Sequence, residues 1–241
     1  VQLCGTFAVE LRGRDVTADL PGRQGRALFA YLALAHGHPV PRRTLVDALW
    51  ADSPPVSAAG ALAALLSKLR TVVGPDVLRG RTDLALVLPE PAQIDVEAAF
   101  AALHSAESAL RAGNWRRAWF ASLAAQFVAR RPLLPEVTAP WADVWRRRLA
   151  DVRVGGLECY AAACLELGGS ELPGAERAAR ELVDLAPLRE TGHLLLMRAM
   201  AAAGNTAEAL AVYARLREVL RDELGVDPGQ DIQAVHRALL G

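Results

Sequence analysis

A short turn motif recurs in the second half of the chain, and it limits what that half can fold into. Ala112-Gly113-Asn114-Trp115-Arg116-Arg117-Ala118 is echoed by Ala203-Gly204-Asn205-Thr206-Ala207-Glu208-Ala209, and more weakly by Leu167-Gly168-Gly169 leading to Ala175-Glu176-Arg177-Ala178. Each reads as a helix end, a Gly/Asn turn and a new amphipathic helix. Gly168 and Gly204 stand 36 residues apart, near the roughly 34-residue period of a tetratricopeptide repeat. One helix pair cannot hide its apolar face alone, so pairs stack into a continuous core with a curved surface. Alanine-rich faces allow close helix approach, and this half is expected to be an α-solenoid.

The sequence changes character at Pro89 and Pro91. Upstream, residues 1–11 alternate loosely, with Leu3, Phe7, Val9 and Leu11 apolar, which predicts one or two short strands. A further short strand is expected over 16–20, with Gly13, Asp15 and Gly22 marking turns. Leu28, Tyr31, Leu32 and Leu34 give residues 23–35 a helical period, stopped by His36-Gly37-His38-Pro39. Pro41 opens a short helix that ends near Leu49 and Trp50, and 51–55 reads as a loop. A third helix is expected over 57–73, with Leu62, Leu65, Leu66, Leu69 and Val73 at helical spacing and Gly74-Pro75 as its stop. Short β segments near 77–78 and 84–88 then flank the turn Arg79-Gly80-Arg81-Thr82-Asp83.

Strands, three helices and a hairpin are the order of a winged helix-turn-helix domain. The expected fold is therefore mainly α with a small β part. An N-terminal winged helix-turn-helix over 1–90 precedes a tetratricopeptide-like α-solenoid over 91–241.

A winged helix lays its third helix in the DNA major groove while the wing and flanking residues hold phosphates. On 57–73 the polar donors are Ser57, Ser67, Lys68, Arg70 and Thr71, whereas Ser57-Ala58-Ala59-Gly60-Ala61 offers almost nothing to read a base edge. Candidate phosphate contacts are Arg23 and Arg26 at the first helix, Arg42 and Arg43 at the second, and Arg79, Arg81 and Thr82 at the wing.

Charge restricts this reading. The chain has 27 basic and 27 acidic residues, which excludes a protein that adheres wholesale to polyanions. Arginine outnumbers lysine 26 to 1, the mark of a high-GC coding bias, so its abundance alone says nothing about nucleic acid. Residues 1–90 carry ten basic and eight acidic side chains, and the remainder 17 and 19, a slightly basic head on a slightly acidic body.

Catalytic and metal signals are poor. His36, His38, His104, His193 and His236 fall in different elements, with no HExxH or nucleophile elbow beside them. No phosphate cradle or cofactor motif is present. Cys4, Cys159 and Cys164 show no CxxC spacing, which predicts a reducing, cytoplasmic setting without structural zinc, and Cys159 and Cys164, five apart on one helix, read as small core residues. Trp115, Trp119, Trp141 and Trp145 read as packing residues rather than an aromatic box. No membrane-length apolar run is present, and no signal-peptide pattern. The chain opens at Val1 rather than Met, which reads as a piece cut from a longer protein.

The segment Ala186-Pro187-Leu188-Arg189-Glu190, then Leu195-Leu196-Met197, then Glu223-Leu224-Gly225-Val226-Asp227-Pro228-Gly229 and Leu239-Leu240, resembles the bacterial transcriptional activator domain. That domain is the helical module of the Streptomyces antibiotic regulatory protein family. Asp95-Val96-Glu97-Ala98-Ala99-Phe100 resembles its start. Arg26-Ala27-Leu28, Leu45-Val46-Asp47-Ala48-Leu49-Trp50 and Ser67-Lys68-Leu69-Arg70 resemble the OmpR-type winged helix that precedes it.

The resemblance implies a non-enzymatic transcriptional activator. It would bind promoter direct repeats as a homodimer and contact RNA polymerase, with 57–73 as recognition helix and Lys68 and Arg70 as the family's basic pair. Two departures, the Ala58-Ala59-Gly60-Ala61 opening of that helix and Thr82-Asp83-Leu84 at the wing, point to a reader that is weak or depends on a partner. The alternative is a protein-interaction module with a degenerate winged helix, the N-terminal part of a larger signalling ATPase.

Overall fold

A computed structural model describes residues 1–50 and 53–241. The expected loop over 51–55 therefore lies partly outside the described residues. The chain forms two compact units. One comprises Val1–Ala98 with Arg131–Leu149, the other Ala99–Arg130 with Ala150–Gly241.

The first unit opens with β1 (Glu10–Leu11) and β2 (Arg14–Asp15), an antiparallel pair in the register Glu10↔Asp15 and Leu11↔Arg14. The strand expected over 16–20 is absent. The Asp15 carboxylate accepts the Thr17 N–H at 2.8 Å and closes a local turn, while buried Val16 donates one N–H to the Val9 carbonyl at 2.9 Å and the pairing stops there. Residues 1–8 hold a β-bridge between Gln2 and Ala8, and a second joins Cys4 to Leu133. The Asp95 carboxylate fixes this segment by accepting the N–H groups of Leu3 and Cys4 at 2.9 and 2.8 Å.

Three helices follow: α1 (Gly22–Leu34), α2 (Arg42–Trp50) and α3 (Ala58–Val73). They bury Leu28, Phe29 and Leu32 of α1, Leu45 of α2, and Leu62, Leu66 and Leu69 of α3 in a common core. Each such side chain contributes about 1.5–3 kcal/mol of apolar burial. Between them lies β3 (Val40–Pro41), a strand the sequence reading did not contain. Together with β4 (Leu78–Arg79) and β5 (Asp83–Leu86) it forms a three-stranded antiparallel sheet in the order β3-β5-β4. Leu84, Leu86 and Leu88 are buried at alternate positions, so the hairpin lays one face on the helices.

The second unit is built from paired helices. The elements are α4 (Asp95–Arg111), α5 (Trp115–Ala129), α6 (Pro140–Leu167), a short 3-10 turn at Gly169–Glu171, α7 (Leu172–Leu185), α8 (Glu190–Ala202), α9 (Thr206–Leu224) and α10 (Gln230–Leu240). The first residues of α4 and of α6 belong to the first unit.

The repeated motif has one geometry at its two strong copies. Gly113 and Gly204 take φ of 67° and 84°, and Asn114 and Asn205 donate their N–H back to Ala109 and Met200, each at 2.8 Å. This is a Schellman closure, which satisfies carbonyls at the helix end and needs a residue free to go left-handed. Ala118 and Ala209, equivalent in the motif, are both fully buried. Leu157, Leu182, Met197, Leu216 and Ile232 form the main core of this unit, with buried Ala161 and Ala179 letting the helices approach closely. Interhelical ion pairs frame it, among them Arg153 with Glu181 at 2.8 Å and Arg189 with Glu158 at 2.6 Å.

Candidate nucleic-acid interface

The spacing of Leu62, Leu66, Leu69 and Val73 turns one side of α3 inward. Ala59, Gly60, Ala63, Ala64, Ser67, Lys68 and Thr71 are consequently exposed along the other side. Four of these seven are alanine or glycine. They offer methyl contacts of the sort a thymine methyl accepts, but no hydrogen-bond donor or acceptor for a base edge. Polar groups are confined to the two ends of the helix, with Ser57 exposed before the first turn and Ser67 and Lys68 exposed in the later turns.

The hairpin is fastened to α3 and to α2 by one arginine from each. Arg70 Nε donates to the main-chain carbonyl of Leu78 at 3.3 Å, and its Nη2 to that of Gly80. From the other direction Arg42 Nε donates to the carbonyl of Arg81 at 2.6 Å, and the Arg42 main-chain N–H to that of Thr82 at 3.2 Å. Gly80 makes the turn possible. Its φ is 91°, and a Cβ there would lie 1.9 Å from the Asp83 carbonyl oxygen. Arg79 Nε turns back to the Asp76 carbonyl at 2.9 Å.

The sequence-derived residues thus separate into groups. Arg43, Lys68 and Arg81 are exposed cations with no side-chain partner among the described residues, and Ser57, Ser67 and Thr82 are exposed hydroxyls. Arg42, Arg70 and Arg79 each place at least one guanidinium donor on a backbone carbonyl, while a guanidinium carries five donors in all. Arg23 and Arg26 line a different concavity, with residues 5–7 and 134–137. Lys68 and Thr71 border a shallow hollow with Asp19, Pro21 and Gly22 at the start of α1.

The positioning roles of Arg42 and Arg70 and the carboxylate anchor at Asp95 are absent from the sequence reading. An acidic residue opening an apolar-periodic run, as Asp95 does at the start of α4, is the one local signal that marked any of them.

The remaining reactive side chains sit in packed surroundings. Burial, reinforced by the nearby Asp95 carboxylate, pushes the Cys4 thiol up to about 12. Burial does the same at Cys159, again to about 12. Such thiols stay protonated and are poor nucleophiles. Among the described residues no group of three or more His, Cys, Asp or Glu side chains is placed to hold a metal ion, and no helix is long and apolar enough to cross a membrane. Trp141 packs edge-on against Tyr31 and donates Nε1–H to the Ala48 carbonyl at 3.0 Å, and Trp119 packs against Tyr160.

The family model of the bacterial transcriptional activator domain matches residues 94–240, more than half of the chain. The chain belongs to the bacterial transcriptional activator domain family. Among its relatives is the regulatory protein AfsR of Streptomyces coelicolor, 36% identical over 219 residues that cover 90% of this chain and 22% of AfsR. The regulatory protein DnrI of Streptomyces peucetius is 29% identical, with 100% of this chain and 91% of DnrI covered. The chain thus spans about a fifth of AfsR and nearly all of DnrI. A solved structure of Mycobacterium tuberculosis EmbR, in complex with a low-affinity phosphopeptide, shares the fold with a TM-score of 0.86 at 24% identity. That match covers 99% of this chain and 64% of EmbR. The fold is mainly helical with small sheets, and the relatives are named regulatory proteins.

Proposed function

We propose that this chain is a DNA-binding transcriptional activator. Residues 1–90 act as an OmpR-type winged helix-turn-helix, with α3 as recognition helix and the β4–β5 hairpin as wing. Residues 91–241 act as a tetratricopeptide-like module that contacts a second protomer and RNA polymerase. The setting is the cytoplasm, and no catalytic step or cofactor is part of this reading.

One observation carries it. Two arginines hold the hairpin tip against α3 and α2 while Arg43, Lys68 and Arg81 stay exposed and unpaired among the described residues. Arg42, Arg70 and Arg79 add their remaining donors, and Ser57, Ser67 and Thr82 add hydroxyls. Phosphates are then gripped firmly and bases read thinly, so site choice rests on DNA shape, on pairing of protomers or on polymerase.

The test is binding of labelled duplex from the adjacent upstream region at several salt concentrations. The three unpaired cations by themselves account for about −2.7 of the slope, hence about 40-fold of the affinity loss between 50 and 200 mM salt. Combined replacement Arg43→Ala, Lys68→Ala and Arg81→Ala should weaken the complex and flatten its salt slope by about 2.7. Retention of the full salt slope by that variant, or absence of any such complex in the unaltered chain, rejects the reading.

The small exposed face of α3 favours a second reading, in which it docks a protein. Ala63→Arg would block such a partner while leaving salt-sensitive DNA binding intact or stronger.

A further inference from the structure

The concavity bordered by Arg23 and Arg26 has chemistry that phosphate gripping does not use. It encloses about 300 Å³ between Phe7, the first turns of α1 and the segment 134–137, all within the first unit. Three features bear on what it holds.

Its cationic side is short of acceptors. Arg23 Nη2 donates to the Glu136 main-chain carbonyl at 2.6 Å, and its other donors have no acceptor among the described residues. Arg26 Nε is shut away from solvent with no hydrogen-bond partner among the described residues. The start of α1 adds to the positive potential, because Pro21 provides no side-chain cap and the first turn holds no acidic residue. Glu136, the acidic residue of the lining, is exposed.

Its opposite wall is set in advance. Leu134 takes a φ of +43°, a left-handed conformation unusual for a residue with a branched side chain. Arg146 holds the segment there, donating to the carbonyls of Leu133, Leu134 and Val137 at 3.1, 2.7 and 2.6 Å. The Leu134 N–H is bound to the Leu3 carbonyl at 3.0 Å. Strain of this type persists where the surroundings over-determine it, and such places are often ligand clamps.

Its floor is apolar, from Phe7, Leu134 and Val137. A bare inorganic anion would leave that surface uncovered, whereas a planar carboxylate matches the fork of a guanidinium and carries carbon behind it. The volume is at the lower end for small-molecule sites, which restricts the ligand to a few carbons or one ring.

We propose that this cleft binds a small organic monocarboxylate, its carboxylate on Arg23 and Arg26 and its apolar body against Phe7, Leu134 and Val137. The site is independent of the DNA contacts assigned to Arg43, Lys68 and Arg81.

Phenylacetate, phenylacetamide and inorganic phosphate, titrated at matched ionic strength into the purified chain without DNA, test it. Phenylacetate should raise the thermal midpoint saturably, since a ligand of the native state stabilises it by mass action. Phenylacetamide and phosphate should not. Arg26→Gln, and separately the exposed Arg23→Gln, should each weaken the phenylacetate Kd at least tenfold with an unchanged circular dichroism spectrum. Arg215→Gln, on an exposed part of α9, should leave it unaltered. If Arg26→Gln fails to fold, Arg23→Gln alone decides. Equal stabilisation by phosphate, undiminished binding in Arg23→Gln, or no response to phenylacetate in the folded chain would overturn the proposal.

Discussion

Arg70, in the last turn of α3, donates a hydrogen bond to the main-chain carbonyl of Gly80 at the tip of the β4–β5 hairpin. A side chain that looks like a groove contact in the sequence is therefore partly a strut, and its loss acts through geometry as well as charge. Arg70→Ala should lower stability by about 1–2 kcal/mol, as expected for a half-exposed, charge-assisted contact. It should also speed amide exchange across residues 78–84, which mass spectrometry would resolve. Arg70→Lys keeps the charge but not the fork, so it should restore little of either. Gly80→Ala should cost more than about 2 kcal/mol, because both its φ and the Asp83 oxygen at 1.9 Å oppose a Cβ.

Asp95 is expected to hold the N-terminal segment more strongly than its solvent-facing neighbours. Asp95→Ala strands the N–H groups of Leu3 and Cys4 and should cost about 2–4 kcal/mol by urea denaturation. Asp95→Asn keeps one acceptor oxygen and should lose less.

His193 should make the helical unit sensitive to mild acid. Its ring is buried, Nε2 donates to the Pro187 carbonyl at 2.9 Å, and Nδ1 has no partner among the described residues. Burial holds its pKa below the ordinary 6.5. The unfolded chain then takes up a proton that the folded chain refuses, so stability falls as pH drops from 6.5 toward the folded-state value and levels off below it. Thermal midpoints at pH 7.5 and 5.5 should differ by more in the unaltered chain than in His193→Gln.

Thiol reagents should distinguish native from unfolded protein sharply. With Cys4 and Cys159 pushed up to about 12 and Cys164 also raised by burial, the folded chain should react slowly at pH 8. Urea should release all three thiols together.

Helix periods were legible because leucines at i, i+4 and i+7 fix an inward face locally, and α1, α2 and α3 begin and end within a few residues of expectation. The paired Ala-Gly-Asn turns were legible for the same reason, since a left-handed glycine closing a helix is a short-range event. The bridge from Cys4 to Leu133 and the pairing of β3 with β5 were not, because two-residue strands carry no period. The strand expected over 16–20 is replaced by a turn, because pairing ends at the Val16 N–H and the Thr17 N–H goes to the Asp15 carboxylate instead of a strand partner. At the candidate interface, residue types were readable but commitments were not. Nothing in the local sequence separates Arg43, left exposed, from Arg42, turned onto the Arg81 carbonyl.

The first unit draws on two separate stretches of chain, and this governs how such a module can be inherited. Leu3 and Gly5 find main-chain partners at Leu134 and Pro132, well beyond the intervening helices α4 and α5. A cut after residue 90 would carry off the hydrophobic helices but abandon those partners. Shuffling by simple gene fusion would therefore tend to move both stretches of the first unit together, with α4 and α5 carried along between them.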